Sequence, residues 1–242
     1  MAIGTLRVTE AIPAWKTVLD ISELVPQDSW MLVGGLMTQV HAGLAGLASR
    51  ATDDVDVLVD VLASSRNVNA VIHSLEKMGF EPQEPGLRGS AFHRMVNGGL
   101  IVDVLVADHL PAGRQKAAKM NTWPMLETPG GAQAIERKVE VEITSETRSA
   151  TVFIPNLLGA LVLKCAAWAT DGRNPHRHLE DVALLASLIT DHAEALSQLH
   201  GSDRKRLRKA AEALADPNEP SWLLLSPEQR IKGQDTMRIL GS

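Results

Sequence analysis

The sequence predicts an α/β domain built on a mixed sheet and followed by a helical region, and three observations carry that prediction. A short apolar strand at 30–34 meets Gly34-Gly35, continues as an apolar helix over 35–47 and returns as a strand at 54–60. A second apolar run, Leu100-Ile101-Val102-Asp103-Val104-Leu105-Val106, reads as a buried strand interrupted by one carboxylate. At Pro155 the character changes, and the remainder reads as helices. The expected organisation is an α/β core over 1–155 and a helical C-terminal region over 156–242.

The elements follow in order. Residues 1–28 form a polar lead-in with one short helix at 14–24. A helix over 65–78 places Val68, Val71, Ile72 and Leu75 at helical spacing and stops at Gly79. Strands at 90–96 and 100–106 flank the turn Asn97-Gly98-Gly99. Pro111, Pro124, Pro129 and Gly130-Gly131 mark 107–131 as irregular. The stretches 138–143 and 150–154 alternate weakly and pair as a hairpin. Beyond Pro155, an apolar helix covers 156–170 and breaks at Asp171-Gly172-Arg173. Asn174-Pro175 reads as a helix start, with a capping residue before a first-turn proline. The helix it opens carries Leu179, Val182, Leu185, Ala186 and Ile189 on one face. Further helices are expected at 192–199 and 202–215, then a proline-containing tail to Ser242.

Composition excludes several classes. The chain has 242 residues and is 45% apolar, enough for a substantial core. No apolar run is long enough to span a bilayer, and the opening MAIGTLRVTEAIPAWK is unlike a signal peptide. One cysteine, Cys165, forbids an internal disulfide and suits a reducing cytoplasm. The net charge of −5 argues against coating nucleic acid by bulk electrostatics. Tyrosine is absent and aromatics make up 3%, which weakens any base-stacking platform.

The chemistry concentrates in the acids. Strand side chains alternate, so Asp54 and Asp56 share one face while Asp53 points away. The glycine pair lets a phosphate approach the backbone, and two carboxylates on one face suit Mg²⁺ bound with a nucleoside triphosphate. Asp103 is expected on the strand beside Asp56, making three carboxylates able to hold two ions about 4 Å apart. The alternative is that Asp53, Asp54, Asp56 and Asp60 are solvated acids of an edge strand.

The run Leu32-Val33-Gly34-Gly35, His41 and Arg50-Ala51-Thr52-Asp53-Asp54-Val55-Asp56-Val57 resembles the nucleotidyltransferase superfamily. Within it the match is to the AbiEii-type toxin nucleotidyltransferases of type IV toxin–antitoxin systems. Their pattern is Gly-Gly, then Arg-x-Thr-x-Asp-φ-Asp with φ apolar, then a lone Asp on a later strand, met here by Asp103. The resemblance covers 30–106 well and 155–190 moderately. It implies a polymerase-beta-like α/β core with a helical C-terminal region and transfer of a nucleoside monophosphate from an NTP. It assigns Gly34 and Gly35 to the triphosphate, Asp54 and Asp56 to metal, and Asp103 to the general base or third metal ligand. Arg50 and Thr52 fall in the loop before the acids: Arg50 either pairs with a phosphate or closes the loop, and Thr52 orders the backbone. Lys164, inside an apolar helix, either snorkels to water or meets a partner charge, and matches the family's triphosphate-binding lysine. Asp181 fits the second acid of the next helix, where His178 replaces the first. Arg177 and Asp181, four apart, are also spaced for a helix-surface ion pair.

Other signals are weaker. His176 and His178 lack a third ligand for zinc. Cys165 reads as packing. His93-Arg94 either face the acids or serve the fold. Arg204, Lys205, Arg206, Arg208 and Lys209 form a basic helix face that suits RNA phosphates, an acidic partner or plain solvent. Three functions follow: a Mg²⁺-dependent toxin acting on the 3′ end of tRNA and countered by an antitoxin, the same chemistry on a small molecule as in antibiotic nucleotidyltransferases, or a degenerate binder of nucleotide or protein without turnover.

Overall fold

The computed structural model describes residues 2–86 and 90–242. The chain separates into two compact units, one of Met1–Met37 with Arg50–Pro155, the other of Thr38–Ser49 with Asn156–Ser242. The sequence prediction kept 38–49 with the α/β core; in the structure this stretch groups with the C-terminal helices.

The first unit runs β1 (Thr5–Arg7), α1 (Pro13–Leu24), β2 (Trp30–Val33), α2 (Gly34–Leu44, whose later turns belong to the second unit), β3 (Asp54–Val59) and α3 (Asn67–Lys77). It continues through β4 (Glu81–Pro82), β5 (Arg94–Asn97), β6 (Leu100–Ala107), α4 (Ala112–Gln115), β7 (Lys119–Met120), β8 (Trp123–Pro124), β9 (Glu127–Thr128), α5 (Gly131–Glu136), β10 (Lys138–Thr144) and β11 (Ser149–Pro155). The fold is therefore mixed α/β, as expected. The main sheet has the order β2-β3-β6-β5-β4, with β9 joining β6. β3 runs parallel to β6 and antiparallel to β2, so the sheet is mixed. Parallel neighbours need a crossover, and α3 lies in the intervening chain.

β3 is an interior strand, flanked by β2 and β6. That removes the edge-strand alternative for its acids. Val55, Val57 and Val59 face Val102, Val104 and Val106 across the parallel ladder, and all six are buried. This alternation leaves Asp54, Asp56 and Asp103 together on the other face. The hairpin expected at 138–154 is present as β10 and β11. Its outer neighbour, β1, adds a parallel strand from the other end of the chain. Arg148 ties this hairpin to the lead-in by donating to Glu10, Asp20 and Glu23 at 2.6–2.8 Å. The segment 107–131, expected to be irregular, carries the short elements α4, β7, β8 and β9 between its loops and leads into α5. Asp108 organises that turn, its carboxylate accepting from the backbone N–H groups of Gly130 at 2.8 Å and Ala132 at 3.3 Å.

The second unit holds the rest of α2, then α6 (Leu157–Thr170), α7 (His176–Leu188), α8 (His192–Ser197), α9 (Asp203–Ala213), α10 (Pro220–Leu223) and α11 (Pro227–Leu240). Asn156 caps α6, accepting from the Gly159 N–H at 2.9 Å. The Asn174-Pro175 start is corrected. The helix opens at His176 without a side-chain cap, and the turn is ordered instead by Asp171, which accepts from the N–H groups of Arg173 and Asn174. The expected tail is also corrected: helices cover 220–223 and 227–240, and α11 opens with a capping box between Ser226 and Gln229. Leu161, Cys165, Val182, Leu185, Leu207, Trp222 and Leu240 are buried in this unit's core. Among the described residues no helix is long and apolar enough to cross a membrane.

Candidate active site

The acidic face of the first unit is assembled by register. β2 pairs with β3 so that Val33 lies opposite Asp56, and the next residue, Gly34, turns the chain into α2 with φ +69°. An l-residue rarely adopts that backbone, and a β-carbon at Gly34 would overlap the Asp56 carboxylate. At Gly35 a β-carbon would come 2.8 Å from the Thr52 methyl. The glycine pair is therefore required twice, by Asp56 and by Thr52. Gly34 brings its backbone against the Asp56 carboxylate, and Gly35 brings its own against the Thr52 side chain.

From Asp56 the same rung continues across the sheet. Asp56 lies beside Asp103 in the parallel β3–β6 ladder, and Asp103 lies opposite Arg94 in the antiparallel β5–β6 ladder. Residues directly opposite one another project from the same face, so the rung reads Asp56, Asp103, Arg94. Arg94 donates from Nε to Asp103 Oδ1 and from a terminal guanidinium nitrogen to Oδ2, both at 2.8 Å. The side chains are 27% and 13% exposed, so the pair is shielded yet reaches solvent. The Arg94 guanidinium is held even more firmly protonated than usual, chiefly by this bond, with the charges of Asp54 and Asp56 adding to it.

Asp54 and Asp56 are half-buried on β3, while Asp53 is exposed and points away, as alternation requires. Arg50 is half-buried, its guanidinium 3.4 Å from the Ala51 carbonyl oxygen. Asp60 belongs to the fold, accepting from the Ala63 N–H at 2.9 Å. The donor set suits a hard divalent cation, since Asp54 and Asp56 offer carboxylate oxygens from one face. Among the described residues, however, no group of three His, Cys, Asp or Glu side chains is arranged to hold a metal. The third carboxylate is committed to Arg94 instead.

Arg94 is the residue whose place sequence reasoning left undecided. The signal was present: a two-residue Gly98-Gly99 turn pairs Asn97 with Leu100, and counting back three residues on each side pairs Arg94 with Asp103.

The second unit brings together another pair. Lys164 of α6 and Asp181 of α7 form an ion pair at 2.6 Å, with side chains 3% and 2% exposed. Lys164 thus meets a partner charge rather than snorkelling, and Asp181 belongs to this buried pair rather than to a surface pair with Arg177. Arg177 donates to Asp171 at 3.2 Å, and His178 Nε2 lies 3.1 Å from the same Asp171 oxygen. Burial pushes the His178 imidazole down to about 4, with the Lys164 and Arg177 charges adding to it. Asp171 is held at about 2, first by the Arg173 N–H, then by Asn174 and His178. Cys165 is fully buried, and burial pushes its thiol up, in keeping with packing. On α9, Arg204, Lys205, Arg208 and Lys209 are exposed.

No protein-family model matches the sequence, and no curated protein matches it. Among solved structures, the chain is similar to the antibiotic-resistance factor ANT(2'')-Ia, at 15% identity and TM-score 0.47, over 85% of this chain and 95% of that one. It is also similar to an antigenic nucleotidyltransferase-like protein from Paracoccidioides brasiliensis, at 14% identity and TM-score 0.47, over 85% and 91%.

Proposed function

We propose that the chain is a Mg²⁺-dependent nucleotidyltransferase, working in the cytoplasm, that moves a nucleoside monophosphate from an NTP to an acceptor hydroxyl. The observation that carries this reading is the acidic face of β3 and β6 beside the glycine turn. Asp54 and Asp56 project from an interior strand beside the left-handed Gly34 turn, with Asp103 on the next strand. Together with the Gly-Gly and Arg-x-Thr-x-Asp-φ-Asp resemblance, this is a phosphate-approach turn set against a divalent-cation donor pair.

In this reading Asp54 and Asp56 hold the cation, which supplies charge neutralisation at the triphosphate. Gly34 and Gly35 leave room for phosphate oxygens at the backbone, and Arg50 adds positive charge from the loop. The acceptor oxygen forms a bond to the α-phosphorus, the bond to the bridging oxygen breaks, and pyrophosphate leaves with the electron pair. The hydroxyl proton passes to Asp103, which keeps lone pairs outward of its Arg94 contacts.

Two acceptor classes remain as arms of one experiment: the 3′ end of tRNA, as in a toxin neutralised by an antitoxin, and a small hydroxylated molecule. The absence of tyrosine, the 3% aromatic content and the net charge of −5 favour the small molecule. The exposed basic face of α9 favours RNA. The protein is incubated with Mg²⁺, each labelled NTP and either total tRNA or a panel of small hydroxylated molecules that includes antibiotics. Label on an acceptor, lost in Asp56→Asn, supports the reading and names the class. NTP binding without transfer to any acceptor favours the degenerate alternative.

A further inference from the structure

Arg94 is a cation held against Asp103 on the acidic face of the first unit, and its position is set by the β5–β6 register. It uses two guanidinium N–H groups on both oxygens of Asp103, a fork-to-fork contact that fixes the carboxylate's orientation as well as its charge. The pair has access to solvent, in contrast to a sealed core pair. Asp54 and Asp56 lie close enough for their charges to act on Arg94. A fixed positive charge therefore holds Asp103 by both oxygens, on the same face as Asp54 and Asp56.

We propose that Arg94 is the resident counter-ion of this site, a positioning residue that competes with the divalent cation for Asp103 and so sets how tightly metal is held. The idea rests on the reading of Asp54 and Asp56 as a cation site. Metal arriving at Asp54 and Asp56 alone finds two ligands and a repelling guanidinium nearby. Full engagement needs Asp103 to loosen one or both Arg94 contacts, which makes the metal weakly held without nucleotide. Release of Asp103 is then coupled to the arrival of a further favourable partner, the triphosphate, whose negative charge gives the guanidinium another place to bind.

The test measures Mn²⁺ binding directly, by the electron paramagnetic resonance signal of the free ion, in the full chain without nucleotide. Arg94→Met removes the clamp and keeps the length; it is expected to tighten Mn²⁺ by about tenfold, the order of one charge-assisted contact that no longer has to be given up when Asp103 turns to the metal. Arg94→Lys keeps the charge but gives up the two-point clamp, and is expected to tighten binding in the same direction by less. In an Asp103→Asn background the Arg94→Met effect is expected largely to vanish, because the contested ligand is gone. Unchanged or weaker Mn²⁺ binding in both Arg94 variants overturns the proposal, since Arg94 would then be holding Asp103 in ligand geometry. Equal tightening with and without Asp103 overturns its route through that residue. Mn²⁺ binding that is absent in the wild type and the variants alike, or insensitive to Asp56→Asn, instead removes the cation-site reading beneath it. Circular dichroism melts on each variant confirm that folded protein is compared; should Arg94→Met fail to fold, Arg94→Lys carries the test.

Discussion

Arg94–Asp103 in the first unit and Lys164–Asp181 in the second each join neighbouring elements, and the two pairs differ chiefly in how far they are taken from water. Arg94–Asp103 in the first unit is 27% and 13% exposed and lies on an open sheet face beside two further acids. Lys164–Asp181 in the second is 3% and 2% exposed among apolar helices. A partly solvated pair is weak in net terms, and its partners can be exchanged at small cost. A buried pair is different: each charge depends on the other, and removing one leaves an uncompensated charge where water cannot reach it. The comparison teaches that the first unit's pair is suited to adjustment, and the second unit's pair to holding one arrangement.

The largest effect is expected from breaking the buried pair. Lys164→Met should cost about 3–5 kcal/mol, seen as a large fall in the denaturation midpoint. The double variant Lys164→Met with Asp181→Leu should recover most of that loss, because both charges leave together. A single variant that unfolds no more easily than the wild type would erase the contrast between the two units. The next effect belongs to the first unit. Gly34→Ala should cost about 1–2 kcal/mol from its left-handed backbone alone, with more from displacing the Asp56 carboxylate. It should also weaken NTP binding, measured by equilibrium dialysis; loss of stability with intact binding would separate the turn from the site.

The smallest effect is a pH dependence. His178 sits near 4 in the folded chain against an ordinary value near 6.5. The unfolded chain therefore takes up a proton first as pH falls, and stability declines from about pH 6.5 down to about 4 before levelling. Allowing for solvent screening, the loss is on the order of 1 kcal/mol. Asp171, held at about 2 against 3.8, adds a separate loss only below about pH 4. Denaturation midpoints for wild type and His178→Gln at pH 7, 5 and 4 test this. The variant should lose the decline above pH 4 and keep the acid-range loss.

Much of the site was legible because it is local or periodic. Strand alternation alone put Asp54 and Asp56 on one face, and the apolar run around Asp103 marked its strand. The Gly34-Gly35 pair announced a turn, although the reason for it, Asp56 and Thr52 lying against the backbone, needed the tertiary pairing of β2 with β3. Arg94 was the harder case. Its partner followed from hairpin register, but a surface arginine and a site arginine look alike until both sides of the hairpin are placed. Lys164 was recognisable as an anomaly in an apolar helix. Which charge answered it was not, since Asp181 and Arg177 sit at helix spacings that permit a local pair.

The helical tail shows the opposite limit. Proline at 220 and 227 suggested interruption, yet both prolines stand at first helical positions, where a missing N–H costs nothing. The pairing of β1 with β10 joins residues more than a hundred positions apart, and no local signal specifies it.

By itself the sequence determined the alternating acids, the glycine turn, the hairpin around Gly98-Gly99 and the change of character at Pro155. Each is written in spacing or backbone preference within a few residues. Only the tertiary structure decided that β3 is interior, that Asp103 beside Asp56 is also bound to Arg94, and that Lys164 is sealed against Asp181. Those outcomes depend on which strands and helices become neighbours and on how much water they exclude, and both are properties of the packed chain.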